Sequence, residues 1–231
     1  MDLQELKKLV RKGEGQTLEF KLKANHPEKL VREMVAFANS NGGVLLVGIH
    51  DDKRIEGVSN PDEDEYLIEK AIQKHTFPPL PYHLERLPID SKTTEREVLI
   101  YHIPKSTQGY YSFVEYKPKK NFRAYIRLAD KSVQASKEMK EVLKGKAKNK
   151  NIRFRFGEKE RILMQYLADN KRISVKQFAE LANIPYRVAS RTLVLLVLAK
   201  VLSIVPHLKE EDTFELRQDE ESSKISSQFI K

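Results

Sequence analysis

The chain has 231 residues (26.8 kDa), enough for one large domain or two small ones. Lys and Arg number 42 against 33 Asp and Glu, and the formal charge of +9 favours an anionic partner, most often nucleic acid or an anionic membrane surface. With no cysteine and no apolar run of about 18 residues, disulfides, a thiol nucleophile, a Cys-based zinc site and a spanning helix are all excluded. The segment MDLQELKKLVRKGEG is charged throughout and does not read as a secretory signal, so a cytoplasmic location is expected.

In chain order, Leu3, Leu6, Leu9 and Val10 fall on one helical stripe. Leu18, Phe20 and Leu22 then alternate with Glu19 and Lys21, the mark of a half-buried strand. Leu30, Met34, Phe37 and Ala38 return to helical spacing, and Asn39-Ser40-Asn41-Gly42-Gly43 stops that helix. VLLVGI (44–49) is continuously apolar and predicts a strand buried on both faces. HDDKR turns, and RIEGV can pair back as a hairpin. Asn60-Pro61 opens a helix with Leu67, Ile68, Ala71 and Ile72 on its stripe, whereas the prolines of TFPPLPY lack the amide a helix needs. REVLIYHI (96–103) and FRAYIRL (122–128) predict further strands. These signals describe a mixed α+β domain over residues 1–145.

Residues 1–150 carry 28 basic and 22 acidic side chains, a net of +6, and residues 151–231 carry 14 and 11, a net of +3. The basic run is densest over 137–155, and GKAKNKN (145–151) has almost nothing to bury, so a linker is expected over 146–156. Beyond it, EKERILMQYLADN (158–170), a short helix capped by Ser174 and a third helix begun at Pro185 precede two short strands, LSIV and TFEL. Three helices and a hairpin over 157–217 give the layout of a smaller winged helix-turn-helix domain, with ANIP as the turn between its second and third helices. Residues 218–231 are polar and Ser-rich and read as a tail.

Glu14, Glu19, Lys21 and Asp51 form the first constellation that could carry chemistry. Glu19 and Lys21 are two apart on a strand and share a face, Glu14 sits in the turn before it, and Asp51 and Asp52 follow the buried strand. Such a set could hold Mg²⁺ or Mn²⁺, polarise a phosphoryl oxygen and activate a water, with Lys21 orienting the water or neutralising phosphate. The same residues also describe a surface Glu–Lys pair and an acidic turn. Gly42-Gly43 permits close approach of a phosphate or of another backbone, or simply stops the helix. No phosphate-loop or dinucleotide glycine motif is present, which leaves an ATPase unsupported, and the six histidines lack zinc spacing.

Two further constellations suit nucleic acid. Lys117, Lys119, Lys120, Arg123 and Arg127 have no acid among them, and strand alternation would place Arg123, Tyr125 and Arg127 on one face, fit for phosphates and an unstacked base. A solvated outer sheet face explains them equally. In the second domain, Tyr186, Arg187, Ser190 and Arg191 would share the exposed start of the third helix, the part that enters a major groove. Against this, the wing tip Lys209-Glu210-Glu211-Asp212 is mostly acidic.

EGQTLEFKLK, AFANSNGGVLLVGIHDD, IEGV, IPKS and YIRLADKSVQAS stand in the order of the Schlafen AlbA-like domain, which residues 1–140 resemble. The resemblance implies a mixed-sheet α+β fold and a DNA-binding, transcriptional-regulator role, often with a winged helix behind the domain. Some animal Schlafen members are RNA endonucleases that use three acids. Carried onto this chain, those acids fall on Glu14, Glu19 and Asp51, with Lys21 in the E-F-K element, and imply a metal-dependent activity on structured RNA such as tRNA. The nuclease members use two lobes, so a homodimer joined through the apolar stretch 192–205 is expected here. The family's usual glycine after its R-x motif is Ala129 in this chain.

Overall fold

Residues 1–89, 96–107, 109–116, 118–147, 156–208 and 210–217 are described by the structure, a computed structural model. The chain divides into two units, Met1–Gln134 and the part from Ala135 onward.

In the first unit, Asp2 accepts the Glu5 amide and Glu5 accepts the Asp2 amide, a reciprocal cap that starts α1 (Leu3–Lys12). Then come β1 (Leu18–Lys21), α2 (Pro27–Asn39), β2 (Gly43–Val47) and α3 (Pro61–His75). β3 (Thr76–Phe77), β4 (His83–Ile89), β5 (Arg96–Ile103) and β6 (Ser112–Glu115) follow. β7 (Asn121–Arg123), β8 (Tyr125–Leu128) and β9 (Lys131–Gln134) complete the unit. The main sheet has the order β1-β2-β5-β4, with β1 parallel to β2 and the other pairs antiparallel. β3-β6-β7 and β8-β9 form two smaller antiparallel sheets.

Strand alternation divides the core by face. Leu18 and Phe20 of β1, Leu46 of β2 and Ile100 of β5 pack under Leu6 and Val10 of α1. On the other face Leu45, Val47, Leu99 and Tyr101 pack with α2 and α3. β2 is therefore buried on both faces, which is why VLLVGI shows no polar alternation. A Cβ on Gly42 would lie 2.8 Å from the Ile103 carbonyl oxygen, so this glycine lets another backbone approach. The hairpin expected at RIEGV is reduced to isolated bridges, Ile49–Ile55 and Val58–Glu97.

The strand expected over 122–128 is two strands. β7 pairs with β6 and β8 pairs with β9, with the break at Ala124. Arg123, Tyr125 and Arg127 therefore do not form one continuous open face, which corrects the alternation read from the sequence.

The second unit contains α4 (Lys137–Ala147), α5 (Glu158–Asp169), β10 (Ile173–Ser174), α6 (Val175–Leu181), α7 (Tyr186–Leu198), β11 (Leu202–Val205) and β12 (Thr213–Leu216). The sheet order is β10-β12-β11, all antiparallel. Ser136 accepts the Met139 amide at 2.9 Å and so caps α4. Ser174 caps α6 as the sequence suggests.

α4 places the division between units at 134/135, earlier than the expected boundary at 145/146. Its lysines mark the outer side, while Val142 is fully buried with Leu163, Phe178, Leu193 and Phe214. A Cβ on Gly145 would lie 2.4 Å from Leu198, so the two helices pack closely there. This also changes the reading of the apolar stretch 192–205. Thr192, Leu193, Val194, Leu196 and Val197 are buried within the unit and need no second copy to cover them. Within the expected linker, residues 148–155, with Lys148, Lys150, Arg153 and Arg155, lie outside the described residues, as do Lys209 and the tail 218–231.

Candidate functional site

Because Leu18 and Phe20 face α1, Glu19 and Lys21 project towards α2. Lys21 Nζ donates to Glu19 Oε1 at 2.5 Å and to the Phe20 carbonyl at 2.6 Å. Glu14 Oε1 accepts the Phe20 amide at 2.8 Å and lies 3.7 Å from Lys21 Nζ. Burial opposes the charge on Lys21, yet the hydrogen bond it donates to Glu19 and the charges of Glu19, Glu14 and Glu33 outweigh it and hold the ammonium above its ordinary pKa.

Arg127 completes this cluster from β8. Its side chain is fully buried, with Nη1 2.6 Å from Glu33 Oε2 and 3.0 Å from Glu19 Oε2. The Glu19 contact is a close charge pair rather than an aligned hydrogen bond. Nη2 donates to the Gly15 carbonyl at 2.7 Å, and the guanidinium stacks 4.7 Å from the centre of the Phe37 ring. Ser132 donates to Glu33, and the Arg127 amide donates to Ser40 Oγ at 2.8 Å. Glu33 is not legible in the sequence, because its role depends on a partner 94 residues away.

The arrangement does not fit a metal ion. Both oxygens of Glu19 already face cations, Glu14 holds a backbone amide, and Asp51 sits in an exposed turn after β2. A divalent ion would have to displace Lys21 and Arg127. Among the described residues no three His, Asp or Glu side chains come together to hold one. Of the triad expected for Mg²⁺ or Mn²⁺, the structure joins Glu14 and Glu19 to Lys21 and does not bring Asp51 in with them. What the cluster does is brace β1, α2 and β8.

The basic residues of 117–127 scatter. Lys117 lies outside the described residues, and Lys119 and Lys120 are exposed. Arg123 pairs with Glu115 at 2.6 Å and donates to Gln134. Tyr125 and Arg127 are buried, so the expected track for phosphates loses both.

At α7 the expected residues divide differently. Tyr186, Arg187 and Arg191 are exposed, while Ser190 is buried and donates to Glu138 Oε1 at 2.6 Å, which removes it from the surface. The chain bends by 114° between α6 and α7, through Ala182-Asn183-Ile184-Pro185. Asn183 takes φ 48°, a left-handed conformation that asparagine tolerates in such turns. Partial burial, Glu138 and Glu211 raise the pKa of the Tyr186 hydroxyl. Among the described residues no single helix is long and apolar enough to cross a membrane.

The first unit is thus an α+β domain on a mixed four-stranded sheet, braced by a buried Glu–Lys–Arg cluster. The profile of the family Schlafen, AlbA_2 matches residues 14–136, more than half of the chain, and the chain belongs to that family. No curated protein matches it. Among solved structures, the DIP2311 protein from Corynebacterium diphtheriae is similar at 19% identity and a TM-score of 0.38. That match covers 55% of this chain and 26% of the other, so it spans about a quarter of the DIP2311 chain.

Proposed function

We propose that this protein binds nucleic acid and acts in the cytoplasm as a DNA-binding transcriptional regulator. The observation that carries the reading is the α6–turn–α7 geometry, with Tyr186, Arg187 and Arg191 exposed at the start of α7. Two helices at such an angle across a four-residue turn are what a helix-turn-helix uses to lay its second helix in a major groove. The order of α5, β10, α6, α7, β11 and β12 supports a winged-helix reading of the unit. Membership in the Schlafen, AlbA_2 family adds a nucleic-acid-related context. Glu210 and Glu211 at the tip of the β11–β12 hairpin would repel phosphate, so the contacts fall to α7 rather than to the wing.

The alternative, a metal-dependent endoribonuclease acting on structured RNA such as tRNA, is less well supported by the site. Two of its acids, Glu14 and Glu19, are engaged by Lys21 and Arg127, and Asp51 stands apart in an exposed turn, so no catalytic step follows from that arrangement.

The test is binding of duplex DNA to the full chain and to the double variant Arg187→Glu, Arg191→Glu. Loss of two groove contacts should weaken binding by about tenfold or more. Unchanged affinity in that variant would overturn the role of α7. A chain that binds neither DNA nor RNA at low salt would overturn the function itself.

A further inference from the structure

Large aromatic side chains belong inside a folded domain, where their area stabilises most. In the first unit four rings are instead exposed: Tyr66 (53%), Phe77 (59%), Tyr116 (45%) and Phe122 (37%). Tyr66 and Lys70 are four apart on α3, and Lys74 follows four later, so the three share a helix face that runs on into β3. The Lys70 ammonium lies 4.4 Å from the centre of the Tyr66 ring. Lys74 lies 5.8 Å from Tyr116, whose hydroxyl donates to the Lys74 carbonyl at 2.8 Å. Lys120 lies 5.9 Å from Tyr116 and 5.3 Å from Phe122, and Phe122 meets Phe77 edge-on at 5.6 Å. Rings and ammonium groups therefore interleave along α3 and the small β3-β6-β7 sheet.

The rings are held from behind. Tyr125, Phe113, His75 and Tyr116 contact one another in succession, at 6.0, 5.2 and 5.7 Å, from the core to the surface. His75 Nδ1 lies 2.7 Å from the Val114 carbonyl oxygen, which fixes the histidine in that ladder. The acids beside the strip have partners of their own: Asp62, four residues before Tyr66, pairs with Arg86 at 2.7 Å. Glu115 is paired with Arg123, and Glu69 accepts the Tyr82 hydroxyl. Among the described residues Lys70, Lys74, Lys119 and Lys120 have no carboxylate partner.

We infer that this strip binds single-stranded nucleic acid, with Phe77, Tyr116 and Phe122 stacking on unpaired bases and Lys70, Lys74 and Lys120 meeting the phosphates. Ring faces and ammonium groups together suit a polyanion that offers flat apolar faces. A duplex hides those faces within its own stack, so the rings select a single strand. The inference rests on the nucleic-acid reading above but uses none of the α7 residues.

The experiment measures binding of the full chain to a labelled oligothymidylate of about 15 nucleotides and to a duplex of the same length. Phe77→Ala with Phe122→Ala should weaken single-strand binding by about tenfold or more and leave duplex binding unchanged. Phe77→Trp should retain the affinity. Lys74→Gln with Lys120→Gln should flatten the log–log salt slope for the single strand by about 1.4. The substituted side chains are exposed, and thermal melting checks that each variant is folded. Parent-like single-strand affinity in the ring variant overturns the inference. So does a chain that binds duplex but no single strand, and that result leaves the proposed function standing. A chain that binds neither overturns both. A change in sedimentation of the ring variant without a change in oligonucleotide affinity assigns the strip to a contact between copies, and overturns the inference as well.

Discussion

Arg127 lies in a strand sequence, RAYIR, that places it among cations set out for phosphate. Its guanidinium is instead fully buried between Glu19 and Glu33. A buried ion pair contributes little net stability compared with an apolar substitute, but removing one partner leaves the other charge stranded. Arg127→Met should therefore lower the unfolding free energy by about 3–5 kcal/mol, read from urea denaturation. Combining it with Glu19→Gln and Glu33→Gln should recover a large part of that loss, because no unpaired charge is left behind. A loss no smaller in the triple variant would mean that shape, not charge, makes the arginine necessary. Lys21 is the half-buried counterpart of Arg127 in the same cluster. Its pairing with Glu19 was legible, since two residues apart on a strand share a face. Burial of Glu19 was not, because it depends on α2 and β8 closing over β1.

At the scale of elements, local signals were reliable where the element carries its own stop. α1, α2, α6 and β5 have caps, breaks or apolar runs that need no partner to be recognised. β4 and β9 went unannounced, because their alternation is weak and their pairing comes from neighbours in the sheet. α4 shows the converse. Its lysine run reads as linker, while Met139, Val142 and Leu143 on its other side are buried. Val142 belongs to the core of the second unit, so Val142→Ala should destabilise that unit by about 2 kcal/mol through lost contacts and a residual cavity. Lys137→Ala, on the exposed side, should change nothing measurable. Thermal unfolding of the two variants checks this. Equal effects would place α4 outside the core.

For the whole molecule, the formal charge of +9 overstates the grip available for a polyanion. Arg54, Arg86, Arg96, Arg161 and Arg172 are tied to carboxylates, as are Arg123 and Arg127. What is left for a partner includes Lys70, Lys74, Lys119 and Lys120 in the first unit and Arg187 and Arg191 in the second. Three lysines on three phosphates (Lys70, Lys74 and Lys120) predict a log–log salt slope of about −2 for a single strand, so a fourfold rise in salt should weaken binding by about 20-fold. Binding isotherms across that range check the value. A flat response would mean that the lysines do not contact phosphate.

By itself, the sequence determined the α+β character of the first unit, the caps and stops of its helices, the helix-and-hairpin order of the second unit and the family resemblance. These are local patterns, and a chain records them wherever neighbouring residues decide their own conformation. The tertiary structure alone decided which charges are taken. Glu33 meets Arg127 across 94 residues, and Phe77 meets Phe122 only because β3 and β7 flank β6. Pairing and exposure are properties of distance in space, and separation along the chain does not encode them.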